Sequence, residues 1–208
     1  AYNMPGSLLV EGSIDLELFQ KTFQQLINRH ETLRTSFHFI EGEPLQKIND
    51  PVGFSVVYLE SDEEKVGEIV KEFIKPFDLG IAPLLRVGLV KTGKDKHVMM
   101  FDMHHIISDG TSMDILVHEF MDMYGGNNPS SLRIQYKDYS VWQKELFAGD
   151  KIKKQEEYWL QEFNGEIPVL NMPVDYQRPA VQSFDGGFIR FEAGSELTGK
   201  LIKLARDN

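Results

Sequence analysis

The chain has 208 residues, of which 22 are Lys or Arg and 32 are Asp or Glu, so its net charge is −10. That acidic balance argues against nucleic-acid binding, which needs a basic face against phosphates. No run of about 18 uncharged apolar residues exists, which argues against a membrane span. Hydrophobic residues make up 41%, enough for a core, so wholesale disorder is excluded. There is no cysteine, which removes disulfides, thiolate catalysis and Cys-based zinc sites. A chain without cysteine fits a reducing compartment, and the expected location is cytoplasmic.

In chain order, Ala1 to Gly6 has neither the basic nor the apolar region of a signal peptide. Ser7 to Glu11 reads as a short strand. Ser13 is placed to cap a helix whose apolar residues Leu16, Phe19, Phe23, Leu26 and Ile27 fall mostly three and four apart. That helix should end near Arg29-His30-Glu31. Thr35 to Ile40, the turn Glu41-Gly42-Glu43 and Pro44 to Ile48 read as a hairpin. Phe54 to Leu59 is a further strand. Ser61 and Glu64 have capping-box spacing ahead of a helix with Val66, Ile69, Val70, Phe73 and Ile74 on one face.

Leu84 to Lys91 and His97 to Met103 read as two strands around the turn Thr92-Gly93-Lys94-Asp95. A helix is expected from about Ser112, broken by Gly125-Gly126-Asn127-Asn128-Pro129. Tyr136 to Phe147 and Lys151 to Phe163 are two more helical stretches. Tyr139 and Trp142 on the first, and Trp159 and Phe163 on the second, are expected in the core. Lys151, Lys153 and Lys154 read as a solvated helix start. Pro168 to Pro179 is extended, Phe188 to Phe191 is a last strand, and Leu201 to Asn208 is helical but stops without a cap. Both chain ends read as cut from something larger. Hairpins and helices mixed this way predict an α+β class, a mixed α/β sandwich with a mixed sheet flanked by helices.

The sharpest feature is His104-His105-Ile106-Ile107-Ser108-Asp109-Gly110, between a strand and a helix. Side chains alternate along a strand, so one histidine should face a site while the other braces it. An imidazole there suits proton transfer near neutral pH. Gly110 suits a tight turn or a close backbone approach. Residues 111–113 should offer free amides at a helix start. A lone strand histidine is most often a packed or surface residue. The pair followed by Asp-Gly favours a functional reading. A metal site is disfavoured, because neighbouring strand histidines do not converge and no third ligand is apparent. Asp109 can orient a histidine, act as an acid or base, or pair with an arginine; its loop–helix junction favours the ion pair.

His104 to Gly110 matches the HHxxxDG signature of condensation domains of nonribosomal peptide synthetases. Arg29 to Phe37 resembles that family's RHExLRTxF motif. Tyr136 to Gln143 is similar to its YxDYAVWQ motif, with Ser140 in place of Ala. Pro173 to Pro179 is similar to its PxDxxRP motif. Four motifs stand in family order, and Ala1 to Gly6 resembles the stretch after the family's first motif. The resemblance implies a chloramphenicol-acetyltransferase-like fold, with residues 1–180 forming most of an N-terminal lobe and 181–208 the start of the second. It implies peptide-bond formation between two thioesters on the phosphopantetheine arms of donor and acceptor peptidyl carrier proteins. No cofactor is expected to bind directly. An adenylation domain and the rest of the second lobe are expected in the same polypeptide, and the isolated fragment is expected to be inactive.

By the same resemblance His105 is the catalytic residue, with His104 and Gly110 beside it, and Asp109 is structural, paired with Arg34. Thr111 stands where relatives often carry Trp. The HHxxxDG pattern, rather than DxxxxD, separates the chain from heterocyclisation relatives. Two other readings stay open. One is a CoA-dependent acyltransferase using an HxxxD motif with His105 as base. The other is a lobe that docks carriers without catalysing.

Overall fold

The computed structural model describes residues 2–207 apart from 178, 182, 184–188 and 190. The chain divides into two compact units, Tyr2–Ile167 and Pro168–Asn208. The first unit opens with strand β1 (Asn3–Glu11), helix α1 (Leu16–Arg29), a 3-10 turn (Glu31–Arg34) and strands β2 (Thr35–Ile40) and β3 (Glu43–Ile48). Strand β4 (Val57–Glu60), helix α2 (Val66–Phe73), and strands β5 (Leu85–Gly93) and β6 (Lys96–His104) follow. Helices α3 (Gly110–Tyr124), α4 (Tyr136–Ala148) and α5 (Asp150–Glu162) complete the unit.

Four strands form a mixed sheet in the order β1-β6-β5-β4, with β1/β6 and β6/β5 antiparallel and β5/β4 parallel. Hairpin β2-β3 stands apart as a two-stranded sheet. Its two-residue loop has positive φ at both Glu41 (54°) and Gly42 (85°), the combination whose twist matches the flanking strands. The main sheet has two different faces. Leu85, Val87, Met99, Phe101 and Met103 join Phe19, Phe23 and Leu26 of α1 and Leu116 and Phe120 of α3 around an apolar cavity of about 360 Å³. On the opposite face Gly88 lets Met100 and Phe73 of α2 close over the sheet; a Cβ there would lie 2.6 Å from the Met100 methyl. Leu84, Leu89, Ile27 and Val90 are fully buried. That burial follows from the run of apolar residues in β5 and the three-and-four spacing in α1.

Several boundaries move from their sequence positions for visible reasons. Helix α1 is capped by Asp15, whose Oδ1 accepts the Leu18 amide at 2.9 Å, and not by Ser13. Gly12, at φ 111°, is still held by Asp95 through its amide. The Ser61/Glu64 capping box does not form. The Ser61 amide is bonded to the Lys91 carbonyl of β5, and a 3-10 turn (Glu63–Lys65) precedes α2. Helices α4 and α5 bury no residue, so Tyr139, Trp142, Trp159 and Phe163 are exposed rather than in the core. Within each helix the aromatics cover one another, Tyr139 against Trp142 and Trp159 stacked on Phe163. Lys151, Lys153 and Lys154 are exposed at the start of α5, with Lys153 paired to Asp150.

In the second unit, Pro168 to Pro179 has no helix or strand among its described residues, and Arg178 of its motif lies outside them. The strand expected over 188–191 falls on residues of which Phe188 and Arg190 are outside the described set. Helix α6 (Ser195–Asp207) carries a Glu196–Lys200 pair one turn apart and exposes Leu197, Leu201 and Ile202.

Candidate active site

Strand β6 ends at His104, and the chain turns at once into a 3-10 segment (His105–Ile107) before α3. Three anchors fix this short connection. The His104 amide donates to the Leu84 carbonyl and the His105 amide to the Tyr2 carbonyl, at 3.0 and 2.8 Å. Ile107 plugs into the core. Asp109 then caps α3, its Oδ1 accepting from the Ser112 amide at 2.8 Å and the Ser112 hydroxyl at 2.7 Å.

The two histidines have different surroundings. His104 is partly buried between Phe77 and Tyr2, and its Nδ1 accepts the Ile106 amide at 3.1 Å. That amide can donate only to an unprotonated Nδ1, so the neutral ring carries its proton on Nε2. Burial, helped by the neighbouring His105, lowers the His104 pKa below the usual histidine value. The His105 side chain is exposed at the first position of the turn. One imidazole is thus tied back into the protein while the other meets solvent.

Asp109 and Arg34, expected to pair, do not form an ion pair among the described residues. The Asp109 carboxylate is exposed and turned onto its own helix start, where the Ser112 hydroxyl and amide hold its pKa below the usual aspartate value. The Arg34 guanidinium donates to the Asn49 carbonyl and lies 3.7 Å from Glu31. Asp109 is taken up by Ser112 three residues on, and Arg34 by Glu31 and by Asn49 fifteen residues on. The amides of Ser112 and Met113 are likewise satisfied by Asp109 rather than free. Gly110 is the first helical residue; its φ is not left-handed and a Cβ there meets nothing within 4 Å. Neither a tight turn nor packing among the described residues calls for glycine there.

These contacts give a direct test. Asp109→Ala is expected to lower the melting temperature at pH 7 through loss of the cap. The folded pKa is depressed, so this contribution is present above the unfolded value of about 3.9 and is lost as pH falls through the folded one. Asp109→Ala and Arg34→Met should therefore be additive in a double-mutant cycle at pH 7. Strong non-additivity would restore the ion pair.

The segment Arg29 to Arg34 proves to be a structural junction. Glu119 of α3 accepts a two-pronged pair of hydrogen bonds from Arg29, at 2.8 and 3.0 Å, and lies 2.6 Å from His30 Nε2. Burial pushes the Glu119 carboxyl up, but the bonds and charges of Arg29 and His30 outweigh it and leave the pKa below the usual glutamate value. Glu31 pairs with Lys137 of α4 at 2.7 Å, and Gln135 bridges the Arg29 carbonyl and the Glu31 amide. Sequence reasoning did not single out Glu119 or Gln135, because each partner lies about 90 to 106 residues away. No group of three His, Cys, Asp or Glu among the described residues could hold a metal. None of the described helices is long and apolar enough to cross a membrane.

This unit, a mixed sheet with a His-His turn leading into a helix, has the fold of condensation-type domains. The X-domain of teicoplanin biosynthesis, solved in complex with OxyB, superposes at a TM-score of 0.78 over 87% of this chain and 42% of its own, with 24% identity. The epimerization domain from the third module of tyrocidine synthetase B does so at 0.75 over 85% and 43%, with 21% identity. A family model described as the condensation domain matches residues 1–208, and the chain belongs to that family. It is 50% identical over 207 residues to tyrocidine synthase 3 of Brevibacillus parabrevis, and 48% identical over 206 residues to gramicidin S synthase 2 of Aneurinibacillus migulanus. These matches cover 100% and 99% of this chain but only 3% and 5% of the two synthases.

Proposed function

We propose that the chain forms the N-terminal lobe and the start of the second lobe, from about residue 181, of a condensation domain in a cytoplasmic nonribosomal peptide synthetase. The observation that carries this reading is the exposed His105 beside a tied-back His104, in a chain half identical to tyrocidine synthase 3. The fold alone does not choose the reaction, since an epimerization domain shares it. The identity to peptide synthases supports bond formation.

In this reading a donor carrier presents an acyl or peptidyl thioester, and an acceptor carrier presents an aminoacyl thioester, each on a phosphopantetheine arm. The acceptor α-amine attacks the donor carbonyl, the C–N bond forms, and the C–S bond breaks. His105 takes or orients the proton leaving the amine, and the departing sulfur regains a proton as the thiol. General-base help of this kind is worth roughly 10²–10⁴-fold. Holding two tethered reactants in line supplies about 7–11 kcal/mol, so positioning is the larger contribution. An adenylation domain and the remaining lobe in the same polypeptide complete the module.

The test uses the full-length polypeptide that carries this chain, with donor and acceptor carriers loaded. Dipeptidyl thioester on the acceptor carrier is the expected product. Turnover with free acyl-CoA and none with carrier-bound donor would replace this reading with a CoA-dependent acyltransferase. Carrier binding with no turnover would leave only a docking lobe.

A further inference from the structure

An aspartate sits fully buried in β6, two residues before His104 and therefore on the same face of the sheet. Asp102 Oδ2 accepts from Arg86 Nη1 at 3.0 Å, directly across the β5/β6 ladder, and from Asn3 Nδ2 at 2.8 Å. Asn3 is paired opposite His104 on β1. Arg86 also donates to the carbonyls of Lys75 and Pro76, and Asn3 Nδ2 reaches the Lys75 carbonyl. The segment after α2 is thereby clamped to the end of the sheet. Its next residue, Phe77, has the Arg86 guanidinium 3.7 Å above its ring centroid and presents an edge-on contact to the His104 ring, centroids 6.3 Å apart.

A buried carboxylate with one oxygen, Oδ1, lacking a partner among the described residues is costly, and apolar replacements of buried ion pairs are often neutral or stabilising. What this group achieves here is orientation. We propose that Asp102, Arg86 and Asn3, acting through Phe77, are positioning residues that hold the His104 ring against the Ile106 amide and so set the direction in which His105 leaves the strand. The ring contact fixes one side of His104 and the Ile106 amide fixes the other. That second bond joins the ring to the turn that starts at His105, beside the backbone bonds of His105 to Tyr2 and Ser108.

The inference rests on the reading of His105 as the residue that handles the acceptor amine, so its test has one readout that does not need turnover. Histidine-selective ¹⁵N labelling of the 208-residue chain reports the His104 tautomer. The native chain should show a single Nε2–H form. Phe77→Leu removes the ring contact and leaves the ion pair, whereas Arg86→Lys keeps the charge but loses the fork that reaches two carbonyls. Both are expected to give a mixture of His104 tautomers. In the full-length polypeptide, kcat for dipeptide formation should fall roughly 10- to 100-fold, the scale of a small misplacement, with KM for the acceptor carrier unchanged. If Arg86→Lys does not fold, Phe77→Leu carries the test alone. Retention of the native tautomer overturns the proposal whatever the rates, as does a lost tautomer with unchanged kcat. Failure of the functional reading looks different: the native polypeptide makes no dipeptide while the tautomer still responds to Phe77→Leu.

Discussion

Replacing His105 with alanine in the full-length polypeptide is expected to slow single-turnover dipeptide formation by about 10²–10⁴-fold while leaving the melting temperature unchanged. The two halves of this expectation have separate grounds. The ring is exposed, and the hydrogen bonds that shape the turn use the His105 backbone, its amide to Tyr2 and its carbonyl from Ser108. Truncation at Cβ leaves both intact. The rate loss comes from the amine proton, which must leave as the C–N bond forms. Residual activity is expected, because alignment of the two tethered thioesters survives the mutation and supplies about 7–11 kcal/mol. An unchanged single-turnover rate would remove His105 from the chemistry. A matching loss of stability would make it structural.

Glu119→Ala should be strongly destabilising, costing about 2–4 kcal/mol at pH 7. Its carboxylate receives three short contacts from Arg29 and His30, and the three side chains are only 14–17% exposed. Truncation would strand the Arg29 guanidinium between α1 and α3. Because the Glu119 pKa is depressed in the folded state, its stabilisation is present above the unfolded value of about 4.3 and disappears as pH falls through the folded one. Urea midpoints of wild type and variant should differ clearly at pH 7 and draw together as the pH falls into the acid range. Equal midpoints at pH 7 would show that the junction contributes nothing.

Much of this architecture is legible in the residues, where local pattern decides. The three-and-four spacing of α1, the Glu41-Gly42 turn and the strand pair around Thr92 to Asp95 appear where the pattern puts them. Caps were less legible: Ser13 is a competent capping residue, yet the helix starts later and Asp15 takes the role by accepting the Leu18 amide. The aromatics of α4 and α5 have core composition, yet no layer covers them within their unit. At the candidate site, strand alternation leads to different surroundings for the adjacent histidines, but the structure separates them otherwise: His104 ends the strand and His105 already belongs to the 3-10 turn. The partner of Asp109 was not legible, because a carboxylate at a helix start has a local alternative in Ser112. Asp102 did carry a signal: an acid inside an apolar strand, two residues before a histidine, demands a buried cation nearby.

That even interval also constrains any redesign of the strand. One residue inserted between Asp102 and His104 would swing the imidazole to the greasy side of the sheet, where Met103 and Phe101 now sit. The buried carboxylate would keep its arginine while losing the ring it serves. Loop grafting in such lobes is therefore safest downstream of Ile107, where the chain has already passed both fixed points.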